Sequence, residues 1–486
     1  MKRIILTGSL LLAFAAALQA QNTATVSQNG NSQSNTIDQS GSNNQTLIRQ
    51  LTGTALLANT GNKVGVTQQA TATLPLRNQA FIDQINGADY DQATIGQTMG
   101  SGNIATIEQA GGHGFRSGGT SLADPASVSG GTDGTGNVAS ITQTGAGNDQ
   151  TTIKQNAGVR GGSGANVARI TQVGNTNLGT VIEQSNRSFG NLATIAQGSG
   201  SGGATANTAV VLQNDDSQHN RASVVQEGAN KIADVQQTTG SSHNQLQVSQ
   251  LGIDGFATVY QTDQADHNQA TVGQTGSSNG GSNATVYQTN VSAYNTAFIE
   301  QKGTVDNALI NQSEQSKNNV ASIAQGVGGL GNSAVITQTY AYDGAGNGTG
   351  LGTGNTARIT QNQTSPSSTG NQAEVTQGFA GGISTVSGNT VISDNNGVVI
   401  GQENDLNVAK VMQGGVSNQA GVTQRGWSTL KGLDSGEIIN DVAEQLGNLN
   451  VLSVTQTGVA GNPATASVRQ VGIGNVGTII QTPVGN

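Results

Sequence analysis

Residues 137–145 read Asn-Val-Ala-Ser-Ile-Thr-Gln-Thr-Gly, with Asn137, Ala139, Ile141 and Gln143 at every second position and Gly145 two residues later. A period of two is that of a β-strand, so these four side chains project from one face while Val138, Ser140 and Thr142 project from the other. The phrase recurs as NLATIAQ (Asn191, Ala193, Ile195, Gln197), NQATVGQ (Asn268, Ala270, Val272, Gln274) and NVASIAQ (Asn319, Ala321, Ile323, Gln325). The first copy carries Asn22, Ala24, Val26 and Gln28, and the last carries Asn475, Ile479 and Gln481. With these two there are about thirty-one copies, so function resides in what stacked copies make together.

Composition agrees with a thin repeat architecture. Of 486 residues only 34% are hydrophobic and 3% aromatic, whereas 71 are Gly, which leaves too few large side chains for a wide globular core. With 10% charged residues and five prolines, the chain is equally unlike a charge-rich disordered linker. The net charge of −9 disfavours nucleic acid and anionic lipid as dedicated partners. There is no cysteine, so disulfides play no part. At the N-terminus, Lys2 and Arg3, an apolar run from Ile4 to Leu18 and small residues around Ala20 read as a secretory signal over residues 1–20, with cleavage after Ala20 or after Ala17. Residues 21–486 then form the exported repeat region, and no later apolar stretch is long enough to span a bilayer.

Successive glutamines are commonly 11 to 13 residues apart, as in Gln28, Gln39 and Gln50. Seven residues of strand leave a turn of only a few residues. That turn typically holds a glycine two after the Gln, at Gly30, Gly41, Gly145, Gly174, Gly252 and Gly276, suited to positive φ. A hydrogen-bonded meander would leave one apolar face of an open sheet uncovered. The reading that explains the inward amides is an all-β, β-arch solenoid with two strands per rung and parallel in-register stacking, a cross-β, amyloid-like arrangement. An inward amide is costly unless paired, and in-register stacking lets each Asn or Gln pair with its copy one rung away. Ala sets the sheet separation, and Ile or Val fills the remaining gap. A rung gains its ladder bonds only from another rung, so stability is a nearest-neighbour property and an uncovered rung is a template.

Three insertions interrupt the beat, near 110–136, 378–396 and 425–449. The first is a Gly/Ser-rich loop, the second contains a degenerate copy at 389–395, and the third contains Trp427. Ile438, Ile439, Val442 and Leu446 in the third show helical spacing that predicts a short helix over 437–446, the alternative being an irregular segment. His219, His243 and His267 each precede the Asn that opens a copy and are spaced by 24 residues. Stacked on one solenoid edge, they read either as a metal-binding or pH-responsive column or as a polar turn residue repeated by duplication. Tyr260 and Tyr287 occupy equivalent outward positions and predict a stacked surface pair. Asp38, Asp91, Asp149, Asp234 and Asp306 are expected outward or in turns, as acids that slow premature assembly. No Ser/His/Asp or Cys/His set and no phosphate-binding loop is evident, so neither enzyme activity nor a cofactor is expected.

The multiplied unit Asn-x-Ala-x-Ile/Val-x-Gln-x-Gly resembles the curlin repeat of bacterial curli subunits, over nearly all of residues 21–486. The resemblance implies a structural subunit of an extracellular functional amyloid, with fibres that support biofilm matrix, adhesion and surface colonisation. It further implies as partners the chain itself, a nucleating subunit, periplasmic chaperones and an outer-membrane secretion channel. The many repeats favour a major subunit. With ordinary copies at both ends and no cap sequence, the reading is end-to-end assembly. The alternative is a capped, monomeric β-solenoid adhesin or ice-binding protein.

Overall fold

The computed structural model describes residues 22–482 outside 30–32, 42, 52–61, 71–76, 86–90, 99–101, 111–136, 149–150, 157–165, 175–176, 186–187, 189, 199–205, 276–280, 327–328, 340–352, 363–367, 378–392, 404–405, 427, 432–442 and 459–463. The expected secretory signal therefore lies outside the described residues, as do Gly30, Gly276, Asp149, Trp427 and nearly all of the first insertion. Among the described residues there are 35 strands and no helix. They divide into two units, Met1–Asn230 and Lys231–Asn486.

In the first unit each strand pairs in parallel with the strand next but one in sequence. Thr23–Asn29, Asn44–Leu51, Asn78–Ile85, Ile104–Ala110, Thr151–Asn156, Val181–Ser185 and Thr208–Leu212 stack as one sheet. The intervening strands, from Ser34–Ser40 through Lys63–Gln69, Gln92–Thr98, Val138–Thr144 and Val167–Val173 to Leu192–Gly198, stack as the other. One strand from each sheet makes a rung, which defines a β-solenoid. The register sets like upon like, with Ala93 opposite Ala139, Ile95 opposite Ile141 and Gln97 opposite Gln143. The second unit repeats the scheme: Gln269–Gln274, Thr296–Gln301, Val320–Gln325 and Thr356–Asn362 form one run of one sheet, and Ser282–Tyr287, Asn307–Asn311 and Ser333–Gln338 a run of the other.

The core is a narrow seam between the two sheets of each unit. The Ile/Val slot is closed to solvent throughout the interior, with Ile82, Ile141 and Ile323 all at 0% exposure, and β-branched side chains suit that pleated wall. The Ala slot is buried as well. Where Thr replaces Ala, its hydroxyl is used across the seam: Gln143 Nε2 donates to Thr151 Oγ1 at 2.9 Å, and Thr151 Oγ1 donates to Gln172 Oε1 at 2.6 Å.

The third insertion differs from the sequence expectation. Ser428–Lys431 and Ala443–Asn448 are two pieces of strand that together fill one slot beside Val408–Val416, pairing with Val408 and Ala409 and then with residues 411–414. The described part of the predicted helix is thus strand. Tertiary pairing overrides the helical spacing, because Gln445 takes its place in a glutamine ladder and Ala443 is buried in the Ile/Val slot. The rest of that segment, and residues 389–392 of the degenerate copy, lie outside the described residues; Asn396 enters a buried asparagine column.

The turns also depart in part from the expectation. Gly41, Gly145, Gly174 and Gly252 do adopt positive φ, and a Cβ at Gly41 would strike the Ala70 carbonyl oxygen. Many reversals, however, use side-chain-bearing residues in the same region of φ: His219 (51°), His243 (53°), His267 (52°), Tyr294 (55°) and Val305 (58°). Bulky residues seldom adopt this conformation, and here the backbone bonds of the stack hold it, as in His267 N to Ser242 O at 3.0 Å and Tyr294 N to Asp266 O at 3.0 Å.

Candidate functional site

Two kinds of buried ladder run through each unit. In the first unit one glutamine ladder passes from Gln28 to Gln50, Gln84, Gln109, Gln155, Gln184 and Gln213, each Nε2 donating to the next Oε1 at 2.7 to 3.0 Å. The facing ladder passes from Gln39 to Gln68, Gln97, Gln143, Gln172, Gln197 and Gln226. In the second unit a ladder runs from Gln250 through Gln274, Gln301 and Gln325 to Gln456 and Gln481, and its partner from Gln237 through Gln445 to Gln470. Interior amides also cross the seam: Gln97 Nε2 reaches Gln79 O at 3.0 Å and Asn103 O at 3.1 Å. The same side chain therefore ties successive rungs and opposed sheets.

Asparagine acts differently from what the repeat suggests. Its Oδ1 accepts mainly from the backbone N–H of the Asn one rung on, as in Asn295 N to Asn268 Oδ1 and Asn319 N to Asn295 Oδ1, both 2.9 Å. Several Nδ2 groups turn to the neighbouring turn, such as Asn191 Nδ2 to Ser217 O and Oγ at 3.1 and 2.9 Å. Side-chain-to-side-chain bonds occur at some steps, including Asn475 Nδ2 to Asn450 Oδ1 at 2.9 Å. Gln builds the amide ladder, and Asn fastens the start of each strand to its turn.

Every glutamine ladder points the same way along the sequence. Where the first unit's ladders start, nothing among the described residues donates to Gln28 Oε1 or Gln39 Oε1. Where the second unit's ladders end, Gln470 and Gln481 each use Nε2 for one carbonyl bond, to Val451 O and Thr465 O, where an interior amide also donates to a further Gln. Among the described residues, Thr23–Asn29, Ser34–Ser40 and Val476–Gln481 pair on one edge only. Their slot residues are accordingly uncovered, with Val26 43% exposed against 0% for Ile48 one rung in, and Ile37 and Ile479 half-buried. Asn35, which stands in the Ala slot, has neither amide atom bonded.

Two of the expected outward acids are inward instead. Asp91 and Asp306 are 2% and 0% exposed and occupy asparagine slots. A carboxylate fits there because the slot asks for an acceptor: Asn137 N donates to Asp91 Oδ1 at 2.8 Å and Asn332 N to Asp306 Oδ1 at 3.1 Å. Burial pushes the Asp306 carboxyl up to about 6, against the N–H groups of Asn332 and Gly303, which pull it down. Asp38 and Asp234 do lie on the outward side. Spacing alone marks the inward pair, since Asp91 and Asp306 stand six residues before Gln97 and Gln312, as Asn137 stands before Gln143.

The outward pair Tyr260–Tyr287 meets with ring centroids 5.5 Å apart but tilted by 55°, and Tyr260 Oη donates to Asp234 Oδ2 at 2.8 Å. Burial and that carboxylate raise the Tyr260 phenol to about 12. The rings of His243 and His267 stack at 4.7 Å and 11°, and Tyr294 continues the column beside His267 at 4.9 Å. His219 belongs to the first unit, where its ring lies over Gly190. The sequence reading missed Asp266, whose carboxylate sits against both His243 and His267.

Fold and ladders together define the class of protein, a parallel β-solenoid with stacked Gln and Asn ladders. No family model matches the chain, and no curated protein matches it.

Proposed function

We propose that this chain is the major structural subunit of an extracellular, curli-like amyloid fibre, and that copies add head to tail. The carrying observation is the polarity of the open ladders. Gln28 and Gln39 offer acceptors where the first unit's ladders begin, and Gln470 and Gln481 offer amide hydrogens where the second unit's ladders end. Donors meet acceptors only if the end of one copy docks on the start of the next. The same docking would cover Val26, Ile37 and Ile479 and bring a partner strand to the amide of Asn35. A heterologous contact of this kind does not close on itself and yields a filament.

Export rests on the signal-like residues 1–20, and the wider setting rests on the curlin resemblance: passage through the periplasm with chaperones, an outer-membrane channel, a nucleating subunit, and a role in biofilm matrix and adhesion. The role is structural and not enzymatic. Negative-stain microscopy and X-ray diffraction of the purified chain after days in buffer test the proposal. Long fibres with a reflection at about 4.7–4.8 Å along the axis are expected; a chain that stays a discrete monomeric rod overturns it in favour of the adhesin class.

A further inference from the structure

Two successive turns of the second unit read Ser242-His243-Asn244 and Asp266-His267-Asn268. The stack sets them in register, with Ser242 N donating to Ala265 O at 2.9 Å and Asn268 N donating to Asn244 Oδ1 at 2.9 Å. Both histidines hold the same left-handed backbone conformation, so their rings leave the turn in the same direction. His243 Nδ1 and His267 Nδ1 lie 3.8 and 2.9 Å from one oxygen, Asp266 Oδ1, which also accepts from Ser242 Oγ at 2.6 Å. One ligand atom from each of His243, Asp266 and His267 falls within 4.8 Å of the others.

From this juxtaposition we infer that His243, Asp266 and His267 form a surface site for a divalent transition-metal ion of the zinc or copper class. Two imidazoles and a carboxylate are a donor set that these ions take, with water completing the coordination. Metal bonds of about 2.0–2.1 Å at a tetrahedral centre put ligand atoms about 3.3 Å apart. The observed 2.9 and 3.8 Å to the Asp266 oxygen bracket that separation, and the two imidazoles, stacked at 4.7 Å and 11°, turn out of their stack to aim both nitrogens at one ion. All three side chains are between a third and a half exposed, which leaves room for that motion and keeps the desolvation cost low. Burial alone would raise the Asp266 carboxyl, but the Ser242 and His267 bonds and both imidazoles keep it below the usual range. On binding, the ion takes the place of the hydrogen bond between His267 Nδ1 and Asp266 Oδ1, and each neutral imidazole carries its one ring proton on Nε2, so its Nδ1 lone pair faces the ion. The ion then links two rungs at their turns, a contact independent of the ladders inside.

Equilibrium dialysis of the purified chain against Zn2+, soluble or assembled, tests the site. One Zn2+ per chain is expected. His243→Ala, His267→Ala and Asp266→Asn should each weaken binding by about tenfold or more, while Asp263→Asn on the same edge leaves it unchanged. Circular dichroism of each variant should match the parent chain, which separates loss of ligand from loss of fold. Electron paramagnetic resonance with Cu2+ supplies a second readout, and two coordinated nitrogens are expected. Absence of binding, parent-like affinity in His267→Ala, or a single-nitrogen spectrum overturns the proposal.

Discussion

The second unit contains two asparagine columns that begin alike in sequence and end in different physics. One runs without a break through Asn244, Asn268, Asn295, Asn319, Asn355, Asn396, Asn418, Asn450 and Asn475, each backbone N–H after the first held by the side chain one rung earlier at 2.8 to 3.0 Å. In the other, Lys231, Gly255, Ser282 and Asp306 occupy four successive asparagine slots before Asn332, Asn371 and Asn407 restore the pattern. Lys231 is 1% exposed, and its Nζ lies 3.7 Å from the point where a Cβ would stand on Gly255. The long side chain and the missing one are complementary. The slot thus demands shape and an acceptor or a filler, while the identity of asparagine is negotiable at the cost of buried charge. Burial lowers the Lys231 amine to about 8, with Asp254 pulling it up, and raises the Asp306 carboxyl to about 6.

The largest effect should come from making the broken column neutral. The Asp306 pKa is higher folded than unfolded, so the folded state binds the extra proton, and stability is full below about pH 4 and falls as pH rises through about 6. Asp306→Asn should therefore stabilise the second unit at neutral pH by about 3 kcal/mol and flatten the denaturant midpoint between about pH 4 and 6. A parent chain whose midpoint is already flat there would break the comparison. Lys231 acts in the opposite sense, because its depressed pKa makes stability rise from about pH 8 towards 10.5.

Next in size is Gly255→Asn. Its Cβ would meet Gln274 Oε1 at 3.1 Å and Gln250 Nε2 at 3.2 Å, with the Lys231 amine already in the space. The single substitution should cost about 2–3 kcal/mol, and much less in a Lys231→Asn background. Additive losses in a double-mutant cycle would deny the size complementarity.

In the intact column, Asn319→Ala removes the acceptor of Asn355 N and should cost about 1–2 kcal/mol by thermal or denaturant melting. Loss within error would mean that water or relaxation replaces that bond. The smallest change is Ser282→Asn, which returns the regular residue to a buried slot between Gly255 and Asp306. It should shift stability by less than about 1 kcal/mol, and a large loss would show that the slot has been reshaped around its neighbours.

Much of this was legible in residue spacing. Alternation in Asn137 to Gln143 specifies the strand and its inward face, and inward amides at fixed positions specify in-register stacking, because unpaired they could not be buried. The pairing of histidines 24 residues apart also followed from the rung length. Other features were hidden because they depend on partners distant in sequence. The spacing of Ile438, Val442 and Leu446 suggested helix, yet Gln445 joins Gln413 and Gln470 as strand, since a ladder bond on each side outweighs local preference. Bulky turn residues such as Tyr294 and Val305 at positive φ gave no local signal, because neighbouring rungs and not intrinsic preference hold them.

By itself, then, the repeated phrase determined the architecture, a two-strand rung stacked on its own copies, since period, slot volume and amide pairing are all properties of residues at set spacings. Only the tertiary structure decided the direction of the glutamine ladders, the division of labour between Gln and Asn, the burial of Asp91 and Asp306, and the meeting of Asp266 with two imidazoles. Each of those depends on which hydrogen of an amide faces which rung, or on what stands one rung away. A spacing rule names the slot, and only the neighbouring rung supplies the partner.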